Sequence, residues 1–151
     1  MTQVNCPKDI INFAIESEQE AYDFYMNLAE QAKSDDMKKV FIQFAEEEMG
    51  HKKRLKGILE SGHYTISDKK VQDLKIADYL VEMKPSPNMT YQDALVLAMQ
   101  KEKAAFKLYT RLSEMCTNEM LSLIFSNLAQ EESKHKLRFE IEYDEMVLKE
   151  N

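Results

Sequence analysis

Residues 44–55 read FAEEEMGHKKRL, and residues 128–139 read LAQEESKHKLRF. The offset is 84 residues (128 − 44). At that offset Glu48 meets Glu132, His51 meets His135, Arg54 meets Arg138 and Phe41 meets Phe125. The same offset, without a gap, lays EQEAYDFYMNL from Glu18 over EKAAFKLYTRL from Glu102. Glu18 then pairs with Glu102, Tyr25 with Tyr109 and Leu28 with Leu112. One register that serves two segments of each half points to an internal duplication rather than to helical periodicity.

The repeated segments are helical in pattern. Three Gly and three Pro in 151 residues leave few breakers, and Ala, Glu, Lys, Leu, Met and Gln are plentiful, which favours an all-α chain. The first helix is expected from about Pro7 to Lys33, with Pro7 suited to a first turn. The second runs from about Asp35 to Ser61 and stops at Gly62. The third begins near Thr90, where Thr90 and Asp93 form a capping box with Asp in place of Glu, and continues to about Cys116. The fourth follows Asn118, a good N-cap, and runs close to the C-terminus. Short breaks at 34–36 and 117–118 make two antiparallel hairpins, about 7–61 and 90–149. Between them, residues 62–89 hold one weakly helical patch, VQDLKIADYLVEM (71–83), and the breaker KPSPN (84–88). A connection of that length can cross the whole bundle, so the second and third helices are expected to run parallel. The length suits one domain over 1–151.

The inward faces decide the chemistry. On the first helix the stripe Ile11, Ala14, Ile15, Glu18, Ala21, Tyr22, Tyr25, Leu28, Ala29, Ala32 is apolar or aromatic except at Glu18. On the third, Leu95, Ala98, Met99, Glu102, Ala105, Phe106, Tyr109, Leu112, Cys116 again carries one carboxylate, Glu102. An amphipathic helix buries such a stripe, and an unpaired carboxylate there costs several kcal/mol or takes up a proton. The second helix gives Met37, Phe41, Phe44, Glu48, His51, Leu55, Ile58, and the fourth gives Leu121, Phe125, Leu128, Glu132, His135, Phe139. Glu46 and Glu47 lie roughly 200° and 100° around the helix from Glu48. They are expected toward solvent or a helix flank, as is Glu131.

Four carboxylates and two imidazoles thus share one level of the core. Like charges keep protons alone from satisfying them, whereas two divalent cations balance four negative charges. Carboxylate and imidazole donors without thiolate suit iron, manganese or zinc. One Glu-x-x-His alone is weak, because acidic helices generate it often. The repeat, the burial pattern and the six-residue count carry the weight together, with Glu18, Glu48, His51, Glu102, Glu132 and His135 as the candidate metal ligands.

Other features exclude more than they suggest. A net charge of −7 and a pI near 5.1 argue against a nucleic-acid partner. No apolar run approaches the ~18 residues that span a bilayer, and MTQVNCPKDI lacks the regions of a secretory signal, so a cytoplasmic location is expected. Cys6 and Cys116 make no C-x-x-C pair and are expected to be reduced. His63 reads as an exposed loop residue, and the ten Met as adaptable core filler.

With E-x6-Y on the first helix and E-x-x-H on the second, repeated on the third and fourth, nearly the whole chain resembles the rubrerythrin and ferritin-like di-iron families. That resemblance implies a ferritin-like four-helix bundle in which Glu48 and Glu132 bridge two irons. Glu18 and Glu102 would be terminal carboxylates, and His51 and His135 would complete the two sets. Tyr25 and Tyr109, two turns from the terminal glutamates, either hydrogen-bond the opposing carboxylates or simply pack. Many rubrerythrins carry a further glutamate on the third helix. Here Met99 and Ala105 flank Glu102, so the set is closer to the symmetric bacterioferritin type. Many also end in a four-cysteine rubredoxin domain, which two cysteines cannot build, so electrons are expected from a separate protein or from the substrate.

The function implied is an oxidoreductase that reduces hydrogen peroxide or dioxygen. Iron oxidation with storage, and a metal-stabilised helical module holding zinc without turnover, stay open beside it. A homo-oligomer, a dimer by expectation, completes the set of partners.

Overall fold

The computed structural model describes residues 4–83 and 89–150, so the KPSPN breaker lies outside the described residues. Among the described residues there are helices and no strand. α1 spans Pro7–Gln31, α2 Asp35–Ser61, α3 Asp68–Gln72, α4 Tyr91–Met115 and α5 Glu119–Glu150, with one 3-10 turn at Ile76–Tyr79.

The ends fall where local chemistry sets them. Pro7 opens α1, where a missing N–H costs nothing. The Ser34 hydroxyl accepts from Met37 N at 3.1 Å and starts α2. α2 ends on Gly62 at φ 68, a left-handed cap that a side chain would strain. Thr90 and Asp93 form the expected reciprocal capping box, and Asn118 Oδ1 accepts from Leu121 N at 3.1 Å ahead of α5. The weakly helical patch is realised only in part: Val71 and Gln72 end the short α3, and the 3-10 turn follows.

α1 packs along α2 and α4 along α5, giving the two hairpins. Their mutual direction follows from specific bonds. Tyr25 on α1 reaches Glu102 on α4, while Tyr109 on α4 reaches Glu18 on α1, so α1 and α4 run antiparallel. Thr117 N donates to Thr65 O at 3.2 Å. The ends of α2 and α4 therefore lie at the same end of the bundle, and the two helices run parallel. Of the described residues between them, Ile66 and Val71 are buried in the core part at that end, and Met83 and Met89 pack on the other core part.

The core has two apolar parts. One gathers Ile10, Ile11, Leu55, Leu112, Phe125 and Leu128, among others. The other gathers Phe24, Leu28, Phe41, Leu95 and Phe139. Phe41 and Phe139 stack in the second part with ring centroids 5.9 Å apart, and Tyr91 Oη donates to Glu142 at 2.8 Å, tying the start of α4 to α5. Between the two parts lies a polar level. The stripe on α4 differs from expectation at one place: Phe106 is 39% exposed beside Tyr79, and Leu108 and Ala104 are buried instead. The buried face of α4 is thus turned toward the flank that α5 covers. Cys6 and Cys116 are both free thiols. Among the described residues no helix is long and apolar enough to cross a membrane.

Phe125→Ala removes a fully buried ring and is expected to cost about 3–5 kcal/mol by urea unfolding. Met120→Ala, 73% exposed, should stay within about 0.5 kcal/mol. Gly57 sits inside α2 with nothing within 4 Å of an added Cβ. Gly57→Ala is therefore expected to raise stability by about 1 kcal/mol, and a loss would show that the helix needs the glycine.

Candidate metal centre

Six ionisable side chains meet in the polar level, each almost wholly out of water: Glu18, Glu48, His51, Glu102, Glu132 and His135. Helical geometry brings them there. Glu48 and His51, like Glu132 and His135, are three apart and so share one face, and the apolar residues on either side of each stripe fix those faces inward. All six residues singled out in the sequence arrive at the same place.

Their donor atoms form two overlapping groups. Glu18, Glu48, His51 and Glu132 offer atoms all within 4.8 Å of one another, and so do Glu48, Glu102, Glu132 and His135. Glu48 and Glu132 belong to both. Among the described residues no seventh His, Cys, Asp or Glu joins either group. The Nδ1 of His51 faces inward, 3.1 Å from Glu132 Oε1 and 3.6 Å from oxygens of Glu18 and Glu48. The Nδ1 of His135 is 3.0 Å from Glu48 Oε1 and 3.6 Å from Glu102 Oε1. The two rings lie nearly parallel, 6.3 Å apart, and Phe44 stacks on His135 at 4.0 Å.

Close approach here is not pairing. Glu18 Oε2, Glu48 Oε1, His51 Nδ1, Glu102 Oε2, Glu132 Oε1 and His135 Nδ1 are all buried without a hydrogen-bond partner. Buried polar atoms are normally satisfied, yet each of these six residues leaves one atom unpaired within the polar level. The donor set is hard oxygen and imidazole nitrogen, which fits a pair of divalent first-row ions.

The protonation behaviour reflects the same crowding. Burial, then the charges of Glu102, Glu132 and Glu18, push Glu48 well above the ordinary carboxylate range. Burial and the Glu132 charge raise Glu102 to about 8. Burial disfavours a charged imidazole, but the Glu132 and Glu18 carboxylates outweigh it and lift His51 to about 11. His135 rises to about 9 for the same reason, chiefly through Glu102. Glu132 alone moves down, because the imidazoles and Glu48 outweigh its own burial.

Around this level are groups that hold the six in place. Tyr25 Oη donates to Glu102 Oε1 and Tyr109 Oη to Glu18 Oε1, so Glu18 and Glu102 each have one oxygen tied to the opposite hairpin and the other unpaired. Burial and the neighbouring carboxylates keep both phenols protonated, far above their usual range. Both hydroxyls reach the opposing carboxylates, and both rings also pack in the core, Tyr25 against Phe139 and Tyr109 against Phe125.

Glu47 and Glu131 do more than a flank position suggests. His51 Nε2 lies 2.9 Å from Glu131 Oε2, and His135 Nε2 lies 2.5 Å from Glu47 Oε2. Each carboxylate stands on the opposite hairpin from its histidine. The signal was present in the repeat, since 131 − 47 is again 84, but a step of about 100° off the inward stripe hid it. Glu46 is exposed, as expected. His63 is exposed too. Gly50 has no neighbour that would exclude a side chain, and nothing in the structure explains a glycine there.

Residues 9–143 match the family profile described as Rubrerythrin. No curated protein matches the chain. Among solved structures, a hypothetical protein from Pyrococcus furiosus is similar, with a TM-score of 0.73 and 24% identity over 93% of this chain and 89% of that one. That likeness concerns the fold, and it supports the helical bundle. With a family match over most of its length and a carboxylate and imidazole cluster at its centre, the chain belongs to the rubrerythrin family.

Proposed function

We propose that the chain is a di-iron oxidoreductase that reduces hydrogen peroxide or dioxygen with electrons from an external donor. The observation that carries this is the set of six buried residues, each with one unpaired polar atom, whose donor atoms fall in two groups that share Glu48 and Glu132. Membership of the rubrerythrin family supports iron as the metal, and manganese and zinc are the alternatives that the donor set admits.

In this proposal Glu48 and Glu132, common to both groups, would help to hold both ions. Glu18 with His51 completes one position, and Glu102 with His135 the other. Bound iron would supply two electrons to the oxidant, taking one peroxide and two protons to two waters. Two divalent ions would balance the charge of the carboxylates, and the protein keeps the level dry between two apolar parts of the core. Tyr25 and Tyr109 keep the terminal carboxylates from swinging, because each hydrogen bond crosses between hairpins. The partners this function needs are a small oxidant, an electron-donor protein and, as a homodimer, a second copy of the chain.

Metal analysis of anaerobically prepared protein should find about two ions per chain, and the iron form should consume peroxide when a donor is supplied. Tight zinc with no peroxide consumption by the iron form would sink the oxidoreductase. Glu132→Ala should empty both positions, whereas Glu102→Ala should weaken mainly one. Equal loss in the two variants would contradict the shared role.

The metal-free protein should also show a characteristic pH response. Glu102 rises from 4.5 to about 8 and His135 from 6.5 to about 9 on folding. Groups that bind protons more tightly in the folded state stabilise it below their unfolded pKa and lose that contribution as pH rises through the folded one. Chelator-treated protein should therefore melt at a lower temperature at about pH 9 than at about pH 6. Metal-loaded protein should vary less, and a higher melting temperature for the chelated form at the alkaline pH would refute the assignment of the buried protons.

A further inference from the structure

An imidazole has two nitrogens, and a metal can take only one that carries no proton. In both histidines Nδ1 faces the carboxylate cluster and Nε2 faces outward to a glutamate of the opposite hairpin. A carboxylate facing a metal-bound imidazole can only accept, so Nε2 must be the donor. The two glutamates are neither buried nor free: their side chains are 37% (Glu131) and 41% (Glu47) exposed at the seam between α2 and α5.

The two halves are not equal. Glu131 Oε2 takes the His51 ring at 2.9 Å and, on the same oxygen, Arg54 Nη1 at 3.0 Å. Among the described residues Glu47 Oε2 takes only His135, at 2.5 Å, while its other oxygen takes the neutral amide of Gln43 at 3.3 Å. A guanidinium drawing on the same oxygen weakens it as an acceptor for the imidazole, and the longer bond is the one so shared.

We propose that Glu47 and Glu131 are positioning residues that hold the Nε2–H of His135 and His51 and so turn each Nδ1 to a metal, and that Arg54 makes the His51 position the weaker of the two. This rests on the assignment of the six buried residues as metal ligands. A carboxylate behind a ligating histidine fixes the tautomer and raises its basicity, and its loss typically costs 10–100-fold in metal affinity. The His135 position, with the unshared carboxylate, is filled first.

The zinc-loaded protein is diamagnetic and gives the direct test. Long-range 1H–15N correlation of the wild type should show both histidines protonated on Nε2, with the His135 proton further downfield than that of His51. Nδ1 protonation of either ring would overturn the proposal without any variant. In chelator competition, Glu47→Ala should lower the tighter step and Glu131→Ala the weaker one, each about 10–100-fold. Glu47→Gln and Glu131→Gln, which can still accept, should recover most of that loss. Glu46→Ala, on the exposed side, should match the wild type. Alanine variants that bind zinc like the wild type would overturn the proposal, as would glutamine variants no better than alanine. Arg54→Ala should move the His51 proton toward the position of the His135 proton, and no movement would overturn the inequality. A wild type that takes up no zinc, iron or manganese would instead refute the ligand assignment itself.

Discussion

The bundle is organised around a level of six buried ionisable side chains, each keeping one atom that no internal pairing satisfies. Everything apolar is divided by it, with one part of the core toward Leu112 and Phe125 and the other toward Leu95 and Phe139. Burying four carboxylates within reach of one another opposes folding. The helices carry that cost in the middle of their length, where apolar packing above and below holds the faces fixed. A hydrophobic replacement at this level would pack more easily. The polar level is thus a concession of stability to chemistry, and its consequences appear in every raised or lowered pKa near it.

Cross-bonding between hairpins converts this level from a crowd into a frame. Tyr25 and Tyr109 each reach across to a glutamate of the other half, Glu102 and Glu18, and Glu47 and Glu131 each reach across to a histidine. The first pair fixes α1 against α4 and the second fixes α2 against α5. Each hairpin has broad helix-to-helix packing within itself, and the join between hairpins adds these polar bonds to the apolar packing above and below the level.

Sequence was most informative where two independent regularities coincided. Glu18 and Glu102 stood out because each is the lone carboxylate in an apolar stripe and each repeats the other, and both are buried. The caps at Ser34, Gly62, Thr90 and Asn118 were legible because their chemistry is local. Glu47 and Glu131 were legible only in the repeat: facing reads one helix at a time, and the seam they occupy exists only once α2 and α5 stand opposite each other. The exposure of Phe106 has the same origin, since the covered flank of α4 depends on which neighbour lies where. The 62–90 connection was weakly readable because short helical turns there are fixed by contact with the bundle rather than by a stripe of their own.

Residues 62–90 carry none of the six cluster residues, yet each group draws on both hairpins: Glu132 completes the set of Glu18, Glu48 and His51, and Glu48 completes that of Glu102, Glu132 and His135. The covalent link between the halves therefore acts as a tether that raises the local concentration of one for the other, not as part of the centre. The two hairpins stand to each other as fused subunits would. Outside the facing positions the halves differ: Gly50 stands where the other half has Lys134, and Arg54 is bonded to Glu131 where Arg138 makes no ion pair among the described residues.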